Sequence, residues 1–343
     1  MRTAESVSSS HPDKVSDRIS DAILDECLRQ DPDSRVAIES CGGHGIITIT
    51  GELTTKAYVD MAGIAKKVYK ECGYNDEIGV QVNVISQSPD IAQGVNTGGA
   101  GDNGIMIGYA CNDNEDMIPQ ELYLARKIFK EVLALGYGPD GKSQITLNDD
   151  NKITRLVISV QHKERQSIKP IEKLAEDFSL KYGMDCSNEL IINGTGKFVL
   201  GGFAADTGLT GRKIVQDAYG PQVPVGGGCQ SGKDVTKVDR SAAYMARKIA
   251  VDYLRRYGAD ETIVKIAYSI GIAKPLMATI KVIGPTLHNQ NDANSWEFDV
   301  DPEEYDLTPK GIIDFLDLKN PKGWSYQETA KWGYTQGNFK WNK

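Results

Sequence analysis

The sequence predicts an α+β protein of three similar units, each a β-α-β-β-α-β variant with helices on one face of a mostly antiparallel sheet. Three observations carry this expectation. The order helix, strand, strand, helix recurs three times along the 343 residues. The stretches YLARKI at 123 to 128 and YMARKI at 244 to 249 differ in one letter, and both helices then end in YG, as expected of a duplicated element. The length suits two or three cores better than one. The units are expected to span 1–96, 97–200 and 201–343, with boundaries in the glycine-rich stretch 94 to 104 and near Gly201.

In the first unit, Val15, Ile19, Ala22, Ile23 and Leu28 recur at helical spacing between Pro12 and Arg29, with Pro12 at an early helical position and Pro32 beyond the end. VAIES (36 to 40) and GIITITG (45 to 51) read as a hairpin, followed by a helix over 55 to 72 and a strand at 81 to 86. The second unit repeats the order: strand 105 to 110, helix 120 to 135, strands 143 to 147 and 155 to 161 around the turn NDDNK, helix 168 to 182 and strand 189 to 193. The third has strand 197 to 202, helix 239 to 257, strands 262 to 271 and 276 to 284, and helix 308 to 317.

Composition narrows the function classes. With 40% hydrophobic and 25% charged residues the chain reads as a soluble globular protein. A net charge of -8 argues against a nucleic-acid or anionic-membrane partner, whose footprint is basic. Any basic site is therefore local. Cys27, Cys41, Cys72, Cys111, Cys186 and Cys229 have no metal-like pairing, and no apolar run resembles a signal peptide or bilayer span, so a cytoplasmic location with reduced thiols is expected. His44, His162 and His288 have no metal-like spacing and read as incidental.

GGGCQSGKD, residues 226 to 234, has the G-x-x-x-x-G-K spacing of a phosphate-binding P-loop, but Asp234 stands where a magnesium-ligating Ser or Thr belongs. The preceding AYGPQVPV, with two prolines, is a poor central strand, so the P-loop context is missing. Arg212, Lys213, Lys233, Lys237 and Arg240 lie within thirty residues, interleaved with Asp206, Asp217, Asp234 and Asp239, in segments with little apolar content. Together they point to a polyanion site, with lysines as point charges for phosphate and aspartates able to recruit magnesium. His11, Asp13 and Lys14 begin a helix, which suits either a simple cap or a phosphate contact.

HPDK, GELTT, QSPDI, GAGDNG, DGKSQ, GTGKFVLGG, TGLTGRK, GGGCQSGKD and TKVDRSAAY, in that order, resemble the S-adenosylmethionine synthetases (methionine adenosyltransferases) from about Glu5 to the C-terminal tail. The resemblance implies three units related by pseudo-threefold symmetry. It implies synthesis of S-adenosylmethionine from ATP and L-methionine by direct sulfur attack on C5', with release of tripolyphosphate and its hydrolysis to pyrophosphate and phosphate. By the same resemblance Asp13 and Asp239 match ligands of two magnesium ions and Glu39 matches a potassium-site residue. His11 matches the histidine beside the breaking bond, and Lys142, Arg212, Lys213, Lys233 and Lys237 match the tripolyphosphate clamp. Phe198 matches the residue on adenine, Glu52, Gln87, Asp102 and Asp206 match methionine or nucleoside contacts, and Asp140 is assigned to the nucleoside. A homodimer or homotetramer with active sites between subunits is implied.

Departures from the family pattern fall in loops: Cys229 and Gln230 in the glycine loop, Gly194 and Phe203 where prolines are common, YTQGN near the C-terminus, and a shortened segment between QSPDI and GAGDNG. None removes an assigned charge. Two alternatives follow: a member with broadened tolerance for methionine analogues, and a non-catalytic regulatory homologue.

Overall fold

The computed structural model describes residues 1–86, 98–183, 190–284 and 295–343. In chain order the strands are β1 (Arg2–Val7), β2 (Arg35–Gly43), β3 (Ile46–Thr54), β4 (Gly79–Ile85), β5 (Gly104–Cys111), β6 (Gly141–Leu147), β7 (Ile153–Val160), β8 (Leu190–Ile192), β9 (Gly208–Leu209), β10 (Glu261–Tyr268), β11 (Met277–Ile283) and β12 (Ser295–Asp299). The helices are α1 (Pro12–Gln30), α2 (Met61–Glu71), α3 (Gln120–Ala134), α4 (Lys169–Lys181), α5 (Ile214–Asp217), α6 (Val238–Tyr257), α7 (Pro309–Leu316) and α8 (Tyr326–Trp332). The fold is α+β, as expected. Among the described residues no helix is long and apolar enough to cross a membrane.

Among the described residues three four-stranded sheets form, in the orders β4-β3-β2-β9, β1-β6-β7-β8 and β12-β11-β10-β5. Each is built on a central antiparallel hairpin, β2 with β3, β6 with β7 and β10 with β11. The strand beside each hairpin comes from elsewhere in the chain. β1 lies antiparallel on β6, β5 on β10, and the short β9 on β2. Each segment thus gives its leading strand to another segment's sheet, in a closed cycle.

The long helices follow this exchange: α1 packs on β2 and β9, α3 on β1 and β6, and α6 on β5 and β10. Leu122, Leu124, Ile128, Phe129 and Val132 of α3 are fully buried, so its apolar stripe ends up inside, as its 3.6-residue spacing dictates. α1 is buried almost all round and carries Ser16, Asp17, Ser20 and Asp21 into the interior. These polar groups need partners there.

The structure revises several expected elements. The region 197 to 202 forms no strand: it meets the segment after β7 through the backbone bond His162 N–H to Phe198 C=O at 2.8 Å, and its next groups bond to side chains, Phe198 N–H to His162 Nε2 at 3.1 Å and Val199 C=O to Gln161 Nε2 at 3.0 Å. The second helix begins at 61, not 55, because Thr55 and Lys56 are tied to Asp31 and the Asp60 carboxylate caps the Gly63 N–H. β12 precedes α7 and runs antiparallel to β11, whereas β4 and β8 run parallel to their partners. A parallel pair needs a long crossover; α2 and α4 supply it, and no helix is described between β11 and β12. β1 and α8 were not anticipated; the polar RTAESV and YQETAKW carry too few apolar residues to show a period.

One buried ion pair ties the helices together. Arg240 of α6 donates two 2.7 Å hydrogen bonds to the two carboxylate oxygens of Asp21 in α1, and its plane lies 4.6 Å from the Tyr326 ring centroid. Both side chains are essentially unexposed. Arg240→Met should therefore destabilise the fold by about 3–5 kcal/mol, because Asp21 is left as a buried unpaired charge, whereas removing both charges together with Asp21→Leu should cost less. Urea unfolding of the single and double variants checks this, and equal costs would contradict it.

Candidate functional site

His11 caps α1. Its Nδ1 accepts the Asp13 N–H at 3.2 Å, so in the neutral ring the proton sits on Nε2. Burial, then the nearby Lys213 charge, lowers the His11 pKa to about 4, with Lys142 adding to the effect and Asp13 and Asp206 opposing it. At neutral pH His11 is therefore an uncharged Nε2–H donor among cations.

Asp13 accepts from the Leu209 N–H at 2.9 Å and from Lys213 Nζ at 2.5 Å, while Arg212 lies 3.5 Å away. Burial alone would raise its pKa, but these contacts, chiefly Lys213, hold it below the ordinary value, so the carboxylate is ionised. Asp140 accepts from the Gly202 N–H at 2.9 Å; burial raises it to about 6, with Asp206 adding to the rise and Lys142 opposing it. Lys142 stands opposite Val7 on β6, next to the turn that leads to His11. The structure thus brings His11, Asp13, Asp140, Lys142, Asp206, Arg212 and Lys213 to one place. A depression of about 430 Å³ lined by Glu5, Gln144, Arg212, Lys213 and Gln216 opens beside them.

The glycine loop forms a second group. Its backbone extends the edge of β2, with the Ile38 N–H donating to Gly232 C=O at 3.0 Å and the Asp234 N–H to Val36 C=O at 3.0 Å. Gly232 has φ +77°, and a Cβ there would lie 1.9 Å from the Ile38 oxygen, so only glycine fits. Asp234 is buried, accepts from the Val36 N–H at 2.8 Å and pairs with Lys237. It therefore anchors the loop and does not stand in for a metal-ligating hydroxyl. No strand runs into the loop, and α6 begins only at Val238, so this is not a P-loop. Lys233 pairs with Asp239 at 2.6 Å. Beside the glycine loop lies a cavity of about 30 Å³, room for about one water, whose walls include Asp17, Gly211, Asp217, Cys229, Asp239 and Arg240.

Other expected site residues lie apart. Glu39 and Glu52 point outward from β2 and β3, and Asp102 is exposed just before β5. Phe198 is half-buried beside His162. Gln87 and the shortened 87–97 segment lie outside the described residues, as does His288. Reading His162 as incidental missed its role: Nε2 accepts from Phe198, so Nδ1 carries the proton and donates to Lys163 C=O at 2.9 Å, fixing the Phe198 segment. Lys14 was similarly undervalued; fully buried, it bridges Asp17 at 2.9 Å and Asp217 at 2.5 Å. Only its place in HPDK hinted at this.

Comparison with known proteins decides the family. Residues 1–93, 97–198 and 200–343 match the N-terminal, central and C-terminal domain models of S-adenosylmethionine synthetase. The chain belongs to the S-adenosylmethionine synthetase family. It is accordingly an enzyme, a transferase of S-adenosylmethionine biosynthesis. It is 41% identical to an S-adenosylmethionine synthase of Chlorobium phaeobacteroides over 99% of this chain and 95% of that one. It is 40% identical to that of Brachyspira hyodysenteriae, with the same coverage. A solved structure described as an unusual S-adenosylmethionine synthetase from Campylobacter jejuni superposes with a TM-score of 0.85 at 30% identity, covering 100% of this chain and 96% of that one.

Because Asp140 has a folded-state pKa near 6, above that of a free Asp, folding takes up a proton there between about pH 4 and 6. Its stabilising contribution is full below about pH 4 and is lost as the pH rises through about 6. Asp140→Asn should therefore gain stability relative to the parent between about pH 5 and about pH 7.5. Urea midpoints at the two pH values measure this, and a gap independent of pH would refute it.

Proposed function

We propose that the protein joins L-methionine to ATP at the site built around His11, releasing tripolyphosphate and hydrolysing it to pyrophosphate and phosphate before the product leaves. The observation that carries this reading is the convergence of neutral His11, ionised Asp13 and the cations Lys142, Arg212 and Lys213, drawn from all three segments of the chain. Thioether sulfur is nucleophilic without losing a proton, so no general base is required. Its lone pair forms the S–C5' bond as the C5'–O5' bond breaks, and the pair from that bond leaves on the tripolyphosphate oxygen. Catalysis must therefore align the ends and neutralise charge developing at O5'.

In this reading His11 Nε2–H donates to the departing O5', while Lys142, Arg212, Lys213, Lys233 and Lys237 hold the polyphosphate. Asp140 and Phe198 face the nucleoside. Glu52, Gln87, Asp102 and Asp206 contact the methionine or the nucleoside. Among the described residues no group of three or more His, Cys, Asp or Glu side chains could cage a metal unaided. Single carboxylates at Asp13 and Asp239 suit magnesium, which favours one or two protein carboxylates plus substrate phosphates, and Glu39 is assigned to potassium. The magnesium ions, when bound, supply charge neutralisation on the polyphosphate.

Glu39 and Glu52 lie on the exposed face of the sheet that holds the β2–β3 hairpin, which also carries Ile46 and Ile85, and Asp102 precedes β5, where Ile105 is exposed near Met277 of β11. A second copy covering these surfaces would bury apolar area and complete each site with the partner's carboxylates. We accordingly assign a homodimer, or a tetramer of such dimers, in the cytoplasm, with units spanning 1–96, 97–200 and 201–343.

The test is incubation with ATP, magnesium, potassium and L-methionine, omitting each in turn, with S-adenosylmethionine, pyrophosphate and phosphate measured together. Methionine-dependent formation of all three is expected; ATP breakdown indifferent to methionine, or nucleotide binding without turnover, would overturn the reading. Lys237→Ala should slow formation of the product by about 10²-fold or more through lost leaving-group stabilisation, read as kcat in steady-state assays.

A further inference from the structure

The aromatic residues beneath the site are arranged as a ladder that joins the first and third segments. Phe203, fully buried, stacks on Tyr69 with ring centroids 5.2 Å apart and planes at 6°, and Tyr69 stacks on Tyr74 at 5.1 Å and 21°. Room for this ladder is built into the backbone. A Cβ on Gly42 would lie 2.3 Å from the Phe203 ring, and one on Gly202 would lie 2.4 Å from the Tyr74 ring. The far end of Tyr69 is held too, its hydroxyl donating to Asp76 at 2.9 Å.

Tyr74 makes the contact that matters for chemistry. Its hydroxyl donates to Ser10 C=O at 2.6 Å in a buried setting. That carbonyl belongs to the peptide unit whose N–H is His11's own, and this N–H donates to Ser8 C=O at 3.1 Å. The peptide before His11 is thus fixed at both ends. The same Tyr74 ring packs on Gly202, whose N–H holds the Asp140 carboxylate at 2.9 Å.

We infer that Tyr74 is a positioning residue for adenosyl transfer, orienting His11 through the Ser10–His11 peptide and Asp140 through Gly202, with Tyr69 and Phe203 fixing its ring. The inference rests on the catalytic role given to His11 above. Tyr74 touches no reacting atom; it acts by holding the imidazole where the departing oxygen forms, and a small misplacement of a catalytic group is costly to the rate.

The experiment is a double-mutant cycle on the full-length enzyme: Tyr74→Phe, His11→Asn and both, with kcat for S-adenosylmethionine formation and KM for ATP and methionine. Tyr74→Phe keeps the stacked ring and removes only the hydroxyl. It should lower kcat about tenfold, the scale of one buried hydrogen bond, and leave both KM values within about twofold. In the His11→Asn background it should add no further loss. An unchanged kcat in Tyr74→Phe while His11→Asn is impaired, or losses that multiply in the double variant, overturns the inference alone. Full kcat in His11→Asn overturns the role of His11 and the inference with it. Should Tyr74→Phe fail to fold, Phe203→Leu, which keeps apolar volume but removes the flat stack, is read in the same cycle: a kcat loss absent from the His11→Asn background is expected, and a multiplying loss overturns the inference.

Discussion

The cyclic exchange of leading strands is the constraint on which the rest depends. β1 must end where β6 begins, so Val7 lies opposite Lys142 and the turn to His11 starts at that point. β9 must reach β2, so the segment 206 to 213 crosses the start of α1, and Leu209 donates to Asp13. A charged site assembled from residues far apart in sequence is therefore a consequence of sheet topology. A hairpin with an open outer edge needs it covered, and the exchange does so with strands two of which, β1 and β9, lead directly into His11 and Arg212.

Charge within the site is balanced before any ligand arrives. Lys213 is matched by Asp13, Lys233 by Asp239, Lys237 by Asp234, and Lys14 by Asp17 and Asp217. Such pairing lets a protein of net charge -8 hold a dense local set of cations without leaving buried charges alone. The pairs differ in kind. Asp234 is fixed by a backbone donor and reads as permanent structure, whereas Lys233 is partly exposed, so its pairing with the buried Asp239 can be exchanged for an incoming anion.

Much of the fold was legible because the hairpin strands and long helices bury continuous apolar stripes whose period survives in sequence. The YLARKI and YMARKI echo also has a physical basis: Arg126 donates to Thr335 Oγ1 at 3.0 Å and to the Gln216 carbonyl, and Arg247 donates to the carbonyls of Asp116 and Tyr109, both at 2.6 Å. Each buried arginine thus ties its helix to carbonyls of neighbouring segments. What was not legible depends on partners distant in the chain. β1 is a strand only because β6 receives it, 197 to 202 forms none, with the side chains of His162 and Gln161 bound to its backbone, and the ladder beneath His11 joins positions 69, 74 and 203 that no periodicity connects. Motif resemblance located the charged residues; it was silent on Lys14 bridging two aspartates, on the tautomer of His11 and on the support beneath it.

Three of the departures from the family pattern, Phe203, Cys229 and Tyr334, share a character in this structure: each is packed among neighbours that make room for it. Phe203 fills a slot that exists because Gly42 and Gly202 leave space for the rings. Cys229 packs against Gly211, where a Cβ would lie 2.8 Å from its sulfur, and burial pushes its thiol up to about 12, so it behaves as a small apolar filler and not as a nucleophile. In the C-terminal run, Tyr334 is buried against Tyr219 and Tyr244, and Thr335 and Gln336 bond to Arg126 and Asp116. None of these changes places a new charge in the site. Their effect is carried through packing onto the backbone that holds His11, Asp140 and the glycine loop, so variation here acts on how firmly the cationic site is held and leaves its composition intact.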